Sequence, residues 1–256
     1  MLQISKLTKK FGEKMAVDGV SFAIRPKEIF ALIGPNSSGK TTIVKTIAGI
    51  LRPNEGIVLV GGNDVLTKPI ETKAAIGYIP DEPTVWSGMT GEEFLHFSGA
   101  LYGVLPALRT KKIEELLPVF ALNGLEKDYF DSYSRGNKQK FSILAALLHE
   151  PKLLLIDEPV VGLDPESASI ARAQFVAFAK NGGAVLLVTH TLSVAEAIAT
   201  KVGLLKGGIL ISTGTLSELR TQAKRGSDAT LDEVYIALTS KAQGISIQGG
   251  TLGIDS

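Results

Sequence analysis

The sequence of 256 residues contains no cysteine and no long uncharged apolar run. Without cysteine the chain can form no disulfide, no thiolate metal site and no cysteine nucleophile. No window reaches the ~18 uncharged apolar residues that a membrane-spanning helix needs. The first ten residues alternate like a strand and have no apolar signal-peptide core. We therefore expect a chain that does not cross a membrane, although it could dock onto a protein that does.

A strong excess of one charge is also missing, because 27 basic and 26 acidic residues give a net charge of +1. Nucleic-acid binding depends on clustered cations, so we expect no nucleic-acid partner. Hydrophobic residues make up 45% and charged residues 21%, which is an ordinary soluble composition. The length allows one large domain or two small ones.

Short apolar, β-branched runs recur along the chain and predict strands. The runs that begin at Ile29, Leu153 and Val185 are nearly continuous in apolar residues and precede helix-like segments, which is typical of parallel strands buried on both faces. Earlier runs alternate more and are separated by turn signals, which favours an antiparallel sheet. The predicted strands cover 20–24, 29–33, 57–60, 76–79, 153–156, 185–188 and 202–205.

A segment of about sixty residues, approximately 87–150, shows no strand pattern. Thr90 and Glu93 form a capping-box pattern for a helix that runs to Tyr102. Further helices are predicted over 107–117 and 137–148. After Thr239 the chain becomes rich in Gly, Ser, Thr and Gln, and we expect 241–256 to be a flexible tail.

Residues 34–42 read G-P-N-S-S-G-K-T-T and match the phosphate-loop pattern G-x-x-x-x-G-K-[ST]. The pattern lies between a predicted strand and a predicted helix (41–48), as the mechanism requires. The glycines let backbone N–H groups point at phosphate oxygens, the lysine adds a positive charge, and the threonine after it can ligate Mg²⁺. An accidental match in a surface loop is the alternative. The predicted ATP-binding residues of this loop are Gly34, Pro35, Asn36, Ser37, Ser38, Gly39, Lys40, Thr41 and Thr42.

The run L-L-L-I-D-E-P at 153–159 is a buried strand that ends in two carboxylates, where a nucleotide on a parallel sheet would sit. Asp157 is placed to hold Mg²⁺, and Glu158 can act on the attacking water. His190 ends the next strand and could contact the γ-phosphate or be solvated. No pair of histidines has metal-site spacing, so Mg²⁺ brought by the nucleotide is the only metal that we expect.

The polar stretch D-S-Y-S-R-G-N-K-Q-K-F at 131–141 opens a predicted helix and forms a second candidate anion site. Ser134 offers a hydroxyl, Gly136 a backbone N–H, and the helix start the favourable end of its dipole. Taken alone, the stretch could equally be an N-capped surface helix.

Together these motifs resemble the nucleotide-binding subunits of ATP-binding cassette (ABC) transporters over roughly residues 2–240. The resemblance rests on the phosphate loop, L-L-L-I-D-E-P, G-L-D-P at 162–165, His190, and Y-S-R-G-N-K-Q in the place of the family's L-S-G-G-Q signature. It implies an α/β fold, a P-loop NTPase (RecA-like) core with an N-terminal antiparallel β-subdomain and an inserted α-helical subdomain. It also implies that two such domains pack head to tail, so that the signature residues Ser134, Arg135, Gly136 and Asn137 meet the ATP of the partner.

The resemblance further assigns roles to single residues: Phe11 stacks on adenine, Glu158 polarises the water and Asp164 communicates across the dimer. It implies an ATPase subunit on the cytoplasmic face of a membrane, whose permease is a separate chain that docks near 81–86, most similar to the export-type branch. A soluble ATPase that works with a cytosolic scaffold is the alternative. Two identical copies are the simpler dimer, and a different cassette as partner stays open.

Three segments depart from the family pattern. Asp81 stands where the family has Gln, and its carboxylate can ligate Mg²⁺ but adds negative charge and cannot donate a hydrogen bond. Arg135 and Asn137 replace the usual Gly and Gln of the signature, and the arginine could pair with phosphate, with the facing subunit or with solvent. Ser37-Ser38 replaces the common Gly-Ala, which we expect the loop to tolerate.

Overall fold

Two β-sheets form the framework of the fold, which a computed structural model describes for residues 1–83, 87–158 and 162–241. Within these residues the strands are β1 (Leu2–Phe11), β2 (Lys14–Ile24), β3 (Ile29–Ile33), β4 (Glu55–Val60), β5 (Asn63–Asp64), β6 (Ile76–Ile79), β7 (Leu153–Asp157), β8 (Ala184–Thr189), β9 (Lys201–Lys206) and β10 (Ile209–Gly214). The first sheet has the order β2-β1-β4-β5 and is antiparallel throughout. The second has the order β10-β9-β3-β8-β7-β6 and is parallel except for the β9–β10 hairpin.

Helices cover the second sheet and connect its parallel strands. They are α1 (Lys40–Ile47), α2 (Pro69–Ala74), α3 (Gly91–Leu101), α4 (Pro106–Leu116), α5 (Arg135–Leu148), α6 (Pro165–Lys180), α7 (Leu192–Ile198), α8 (Leu216–Ala223) and α9 (Leu231–Lys241). Short 3₁₀ helices lie at Pro118–Phe120, Leu125–Lys127 and Phe130–Ser132. In the described part of the chain, no helix is both long and apolar enough to span a bilayer.

The second sheet is buried on both faces because its strands alternate between two hydrophobic cores. In β3, Phe30 and Leu32 pack into a core that includes the antiparallel sheet and α1. The alternate residues Ala31 and Ile33 pack into the opposite core, which is formed by the helices. Phe22 stacks on Phe30 with ring centroids 4.7 Å apart and joins the two sheets. This arrangement explains why the parallel strands read as continuous apolar runs.

The carboxyl ends of β3, β6, β7 and β8 lie along one edge of the parallel sheet. The chain leaves these strands at 34, 80, 158 and 190, which are the positions of the phosphate loop, the segment after β6, the D-E pair and the strand-end histidine. Ligands of open parallel sheets bind at this edge. The topology therefore brings four distant sequence motifs to one place.

Between β6 and β7 the described chain forms α3, α4, α5 and the 3₁₀ helices, with one isolated bridge between Thr90 and Tyr129. The predicted capping box is confirmed, because Thr90 Oγ1 accepts from Glu93 N at 3.2 Å and Glu93 Oε2 accepts from Thr90 N at 2.8 Å. An aromatic cluster stabilises this helical segment, in which Tyr133 stacks on Phe141 at 4.9 Å. The division of the chain into subdomains stays a prediction.

The predicted strands and helices are confirmed, most of them with small shifts of their ends, but β2 begins at Lys14, six residues before the predicted start at 20. Helix α1 begins at Lys40 and α5 at Arg135, one and two residues earlier than expected. The α5 shift arises because the Ser134 hydroxyl caps the helix. Strands β5 and β10 were missed. Strand β5 has only two residues, and β10 follows β9 directly after a tight turn at Gly207-Gly208. The predicted tail lies outside the described residues, apart from Lys241 at the end of α9.

Candidate functional site

A cleft of about 590 Å³ opens at the carboxyl edge of the parallel sheet. It is lined by Phe11, Lys14, Ala16, Asn36, Ser37, Ser38, Gly39, Lys40, Thr41, Thr42, Asp81, Glu82, Arg135, Asp157, Glu158 and His190. The fold thus brings the phosphate loop, the D-E pair and His190 into one cavity, together with two of the residues that depart from the family pattern. Gly34 and Pro35 are not lining residues, but their carbonyl oxygens contact Lys40.

The two pattern glycines of the phosphate loop pack directly against other backbone segments. A Cβ at Gly34 would come 2.2 Å from the carbonyl oxygen of Leu205, and a Cβ at Gly39 would come 2.5 Å from that of Ala16. Gly39 also has a φ of +106°, which favours glycine. Ser37 has a φ of +65° in the same loop, so this serine occupies a left-handed conformation that costs free energy.

The Lys40 ammonium is buried and held inside the loop. Its Nζ donates to the carbonyl oxygens of Gly34 at 2.7 Å and Pro35 at 3.0 Å. Burial lowers the pKa of Lys40, while the charges of Glu158 and Asp157 act in the opposite direction. A phosphate in the cleft would add the negative charge that a buried ammonium favours.

Ser38 adds an unused polar atom to this loop. Its side chain is 2% exposed, and its Oγ has no hydrogen-bond partner among the described residues. An unsatisfied buried hydroxyl costs free energy, and a polar ligand in the cleft could supply the missing partner. This atom fits a loop that is built to receive phosphate oxygens.

The side chains that could hold Mg²⁺ lie beside the phosphate loop. Burial raises the pKa of the Asp157 carboxyl, a hydrogen bond from Thr41 lowers it, and the nearby charges of Glu158 and Asp81 raise it again. A smaller cavity next to the cleft is lined by Thr41, Asp81 and Asp157, among others. Hard oxygen donors of this kind suit Mg²⁺.

No group of three or more His, Cys, Asp or Glu side chains that could bind a metal alone is present in 1–83, 87–158 and 162–241. Mg²⁺ is usually held by one or two carboxylates and by nucleotide phosphates, not by a cage of protein ligands. The residues present therefore fit a magnesium ion that arrives with a nucleotide. Thr41, Asp157 and Asp81 would supply its protein ligands.

Glu158 is held by the end of β8. Its Oε2 accepts from Thr189 Oγ1 at 2.9 Å, and its Oε1 accepts from the backbone N–H of His190 at 2.8 Å. The Nδ1 atom of His190 lies 2.7 Å from the same Oε1. Because a carboxylate only accepts, His190 Nδ1 must carry the proton in this contact. The other ring nitrogen, Nε2, is then available to a ligand.

The hairpin between β1 and β2 contributes an aromatic ring to the cleft. Phe11 is 48% exposed, and Lys9 Nζ lies 5.1 Å from its ring centroid. Lys14 pairs with Phe11 across the hairpin and lines the same cleft. An exposed aromatic ring beside a phosphate site can stack on a base.

The polar stretch at the start of α5 is divided between two environments. Ser134 Oγ accepts from Asn137 N at 3.2 Å, so it caps its own helix. A Cβ at Gly136 would come 2.9 Å from the carbonyl oxygen of Gly162, which explains a glycine at this close approach. Of the four predicted signature residues, Arg135 alone lines the cleft of its own chain.

The Arg135 guanidinium forms an ion pair that none of our three expectations included. Its Nη2 lies 3.2 Å from Oδ1 of Asp81 in the same chain. Both residues depart from the family pattern, both line the cleft, and they contact each other. Asp164 lies apart from the cleft and caps α6, where its carboxylate accepts from Ser167 N at 2.9 Å.

Sequence reasoning missed three lining residues, Lys14, Ala16 and Glu82. Ala16 contributes its backbone to the packing of Gly39, and no sequence signal marks such a residue. Lys14 and Glu82 are neighbours of predicted residues across a hairpin or along the chain, so a search around Phe11 and Asp81 could have found them. The expected docking segment at 81–86 lies partly outside the described residues, because 84–86 are not described.

Comparison with protein-family models finds a match to the family described as ABC transporter over residues 17–161. The linearmycin resistance ATP-binding protein LnrL of Bacillus subtilis is 33% identical over 219 residues, covering 86% of this chain and 70% of that protein. The ABC-type transporter ATP-binding protein EcsA of the same organism is 33% identical over 244 residues, covering 95% of this chain and 98% of that protein.

The probable multidrug ABC transporter ATP-binding protein YbhF of Escherichia coli is 32% identical, and the chain spans only 41% of its length. Among solved structures, an ATP-binding subunit of an ABC transporter superposes with a TM-score of 0.89 at 32% identity. That comparison covers 93% of this chain and 99% of the solved one.

Proposed function

The chain belongs to the ABC transporter family as an ATP-binding, ATP-hydrolysing subunit, and we propose that it works as a dimer on a separate membrane permease. The observation that carries this proposal is the cleft itself. Lys40, Glu158 and His190 converge there from three different strand ends. Each supplies a function that hydrolysis of a nucleoside triphosphate requires: phosphate binding, water activation and γ-phosphate contact.

We propose that Lys40 exchanges its loop carbonyl partners for the β- and γ-phosphates of ATP. The backbone N–H groups of the loop add further donors at the start of α1. Phe11, at the cleft wall, would stack on the adenine base. These interactions bind the nucleotide and place its γ-phosphate near the end of β7, where Glu158 lies.

In the proposed hydrolysis, a water oxygen attacks the γ-phosphorus and the bond to the β–γ bridging oxygen breaks. Glu158 takes a proton from that water, and ADP and phosphate are the products. His190 and Thr189 hold the carboxylate, and His190 Nε2 can face the γ-phosphate. Mg²⁺, held by Thr41, Asp157 and Asp81, would neutralise phosphate charge.

The start of α5 and Asp164 support the dimer part of the proposal. Ser134, Gly136 and Asn137 do not line the cleft of their own chain, and Ser134 is exposed. A helix start with exposed donors suits the phosphate of a second subunit. One chain then carries both halves of a composite site, which a head-to-tail pair of identical copies can complete.

A permease partner at the cytoplasmic face of a membrane is the remaining part of the proposal. Relatives named for linearmycin resistance and for multidrug transport support an export-type permease. The substrate would then be chosen by the permease and not by this chain. A cytosolic scaffold in place of the permease is the competing partner.

Two measurements test this function. ATP hydrolysis by the chain should depend on Lys40, so that Lys40→Ala abolishes nucleotide binding; hydrolysis equal to the parent would contradict the proposal. Tagged protein should co-purify from detergent-solubilised membranes with a chain that has several membrane spans. Recovery only from the soluble fraction, with a soluble partner, would favour the scaffold function.

A further inference from the structure

Helix α5 contacts the segment after β6 through two side chains that lie one turn apart on the same helix face. Arg135 Nη2 lies 3.2 Å from Asp81 Oδ1, and Gln139 Nε2 donates to the carbonyl oxygen of Pro80 at 3.1 Å. The spacing of four residues places both side chains on one face. The two contacts are thus directed at adjacent residues, 80 and 81.

These two contacts differ in how easily they can break. Gln139 is 1% exposed and bonds a backbone carbonyl. The side chains of Arg135 and Asp81 are 49% and 46% exposed, so their pair is open to water and contributes little to stability. The backbone at Pro80 is therefore anchored, while the Asp81 side chain can change partner by rotating.

The position of the ion pair in the cleft gives the Asp81 carboxylate access to a second partner. Asp81 and Arg135 both line the nucleotide cleft, and the Asp81 charge is close enough to raise the pKa of Asp157. The stem of Arg135 packs over Gly162, where an added Cβ would come 3.1 Å from Arg135 Cδ. This packing keeps the guanidinium at the cleft.

We propose that Arg135 is a positioning residue that holds Asp81 in the nucleotide-free chain and competes for it with the magnesium ion of the bound nucleotide. A carboxylate is a hard anionic ligand that either cation can use. When Asp81 turns to Mg²⁺, the guanidinium is freed within the cleft. This inference rests on the proposed function, because it requires a magnesium–nucleotide complex in the cleft.

The test is equilibrium binding of AMP-PNP, which avoids turnover, in excess Mg²⁺ and in EDTA. The ratio of the two affinities is measured for the parent, Arg135→Ala, Asp81→Asn and the double variant. Removing the competing guanidinium should raise the ratio about two- to fivefold, as expected for a half-exposed ion pair. Asp81→Asn should lower the ratio, and adding Arg135→Ala to it should cause no further change.

Two matched variants control the measurement. Lys138 lies on the same helix, and its Nζ donates to the Asp131 carbonyl and not to Asp81. Lys138→Ala therefore removes a cation from the helix without touching the pair, and it should leave the ratio unchanged. Arg135→Lys keeps the charge and should restore the parent ratio in part.

The outcomes separate the inference from the function beneath it. If Arg135→Ala leaves the ratio unchanged, the competition does not exist and Arg135 is a surface residue of α5. The same conclusion follows if Arg135→Ala changes the ratio by the same factor in the parent and in Asp81→Asn. If the parent does not bind AMP-PNP, the proposed function itself fails and the inference fails with it.

Discussion

Oε1 of Glu158 lies 2.7 Å from Nδ1 of His190, and the same oxygen accepts the backbone N–H of His190 at 2.8 Å. Glu158 also has a φ of +51°, a left-handed conformation that is rarely held without compensating contacts. The two residues follow adjacent parallel strands, β7 and β8. The end of β8 therefore fixes the direction of the Glu158 carboxylate, which follows β7.

Replacing the proposed base should separate binding from hydrolysis. Glu158→Gln keeps the shape and the contact with Thr189, but it removes the proton acceptor. We expect steady-state ATP hydrolysis to fall by about 10²- to 10⁴-fold, while ATP affinity stays near that of the parent. Glu82→Gln, which neutralises another carboxylate that lines the cleft, is the matched control and should hydrolyse ATP at the parent rate. Equal losses in both variants would argue against Glu158 as base.

Removing the Phe11 ring should weaken nucleotide binding through the base. Because stacking on an aromatic ring contributes about 1–3 kcal/mol per base, Phe11→Ala should lower ATP and ADP affinity by the same factor. Phe11→Trp should keep the affinity. Fluorescence titration with both nucleotides measures it, and Met15→Ala, an exposed apolar residue on the same hairpin, serves as control. A loss confined to ATP would show that the ring acts on the γ-phosphate region instead.

Replacing Ser37, which has a left-handed backbone conformation in the phosphate loop, by glycine should stabilise the fold. A non-glycine residue in this conformation costs about 1–2 kcal/mol, and glycine loses about 0.5–1 kcal/mol in chain entropy. Ser37→Gly should therefore raise the free energy of unfolding by about 0.5–1 kcal/mol, measured by urea denaturation. The same substitution at Ser169, within α6, should destabilise instead. A decrease at Ser37 would show that its side chain makes contacts that outweigh the strain.

Asp164 has a structural role that can be separated from the proposed communication across the dimer. Its carboxylate caps α6, and hydrogen bonds from Ser167 lower its pKa. Asp164→Ala should lower the melting temperature because the cap is lost. Asp164→Ser should keep the cap and therefore the melting temperature. If Asp164 also communicates across the dimer, ATPase activity should rise less steeply with protein concentration in this variant. Unchanged activity in the serine variant would leave the residue as a helix cap alone.

The half-buried His149 should make stability depend on pH. Burial lowers its pKa from the usual 6.5, its Nε2 lies 3.0 Å from the Ile76 carbonyl oxygen, and its ring stacks on Tyr102 at 3.7 Å. The unfolded chain then binds the proton more readily, so stability should fall as the pH drops below the unfolded pKa towards the folded one. His149→Phe keeps a ring for the stack and should lose less stability between pH about 7.5 and about 5.5. Urea denaturation at both pH values measures this, and equal losses would contradict it.

The local motifs of this protein were readable from the sequence because each depends on neighbouring residues. A buried strand, a curled glycine loop and a helix start follow one another in 29–47, and the pattern of residue types specifies all three. The capping box at Thr90 is equally local. Strand β10 was not predicted: it lies at the edge of the sheet beside β9, and most of its residues are exposed or half-buried.

The sequence by itself thus determined the phosphate loop, the acidic strand end and the helix that follows each. Only the tertiary structure decided which of these residues touch. Glu158 and His190 are 32 residues apart, and Asp81 and Arg135 are 54 apart. Their contacts depend on the order of β8, β7 and β6 in the sheet and on the packing of α5 beside them. Such order arises from burial of whole faces, which no short stretch of sequence contains.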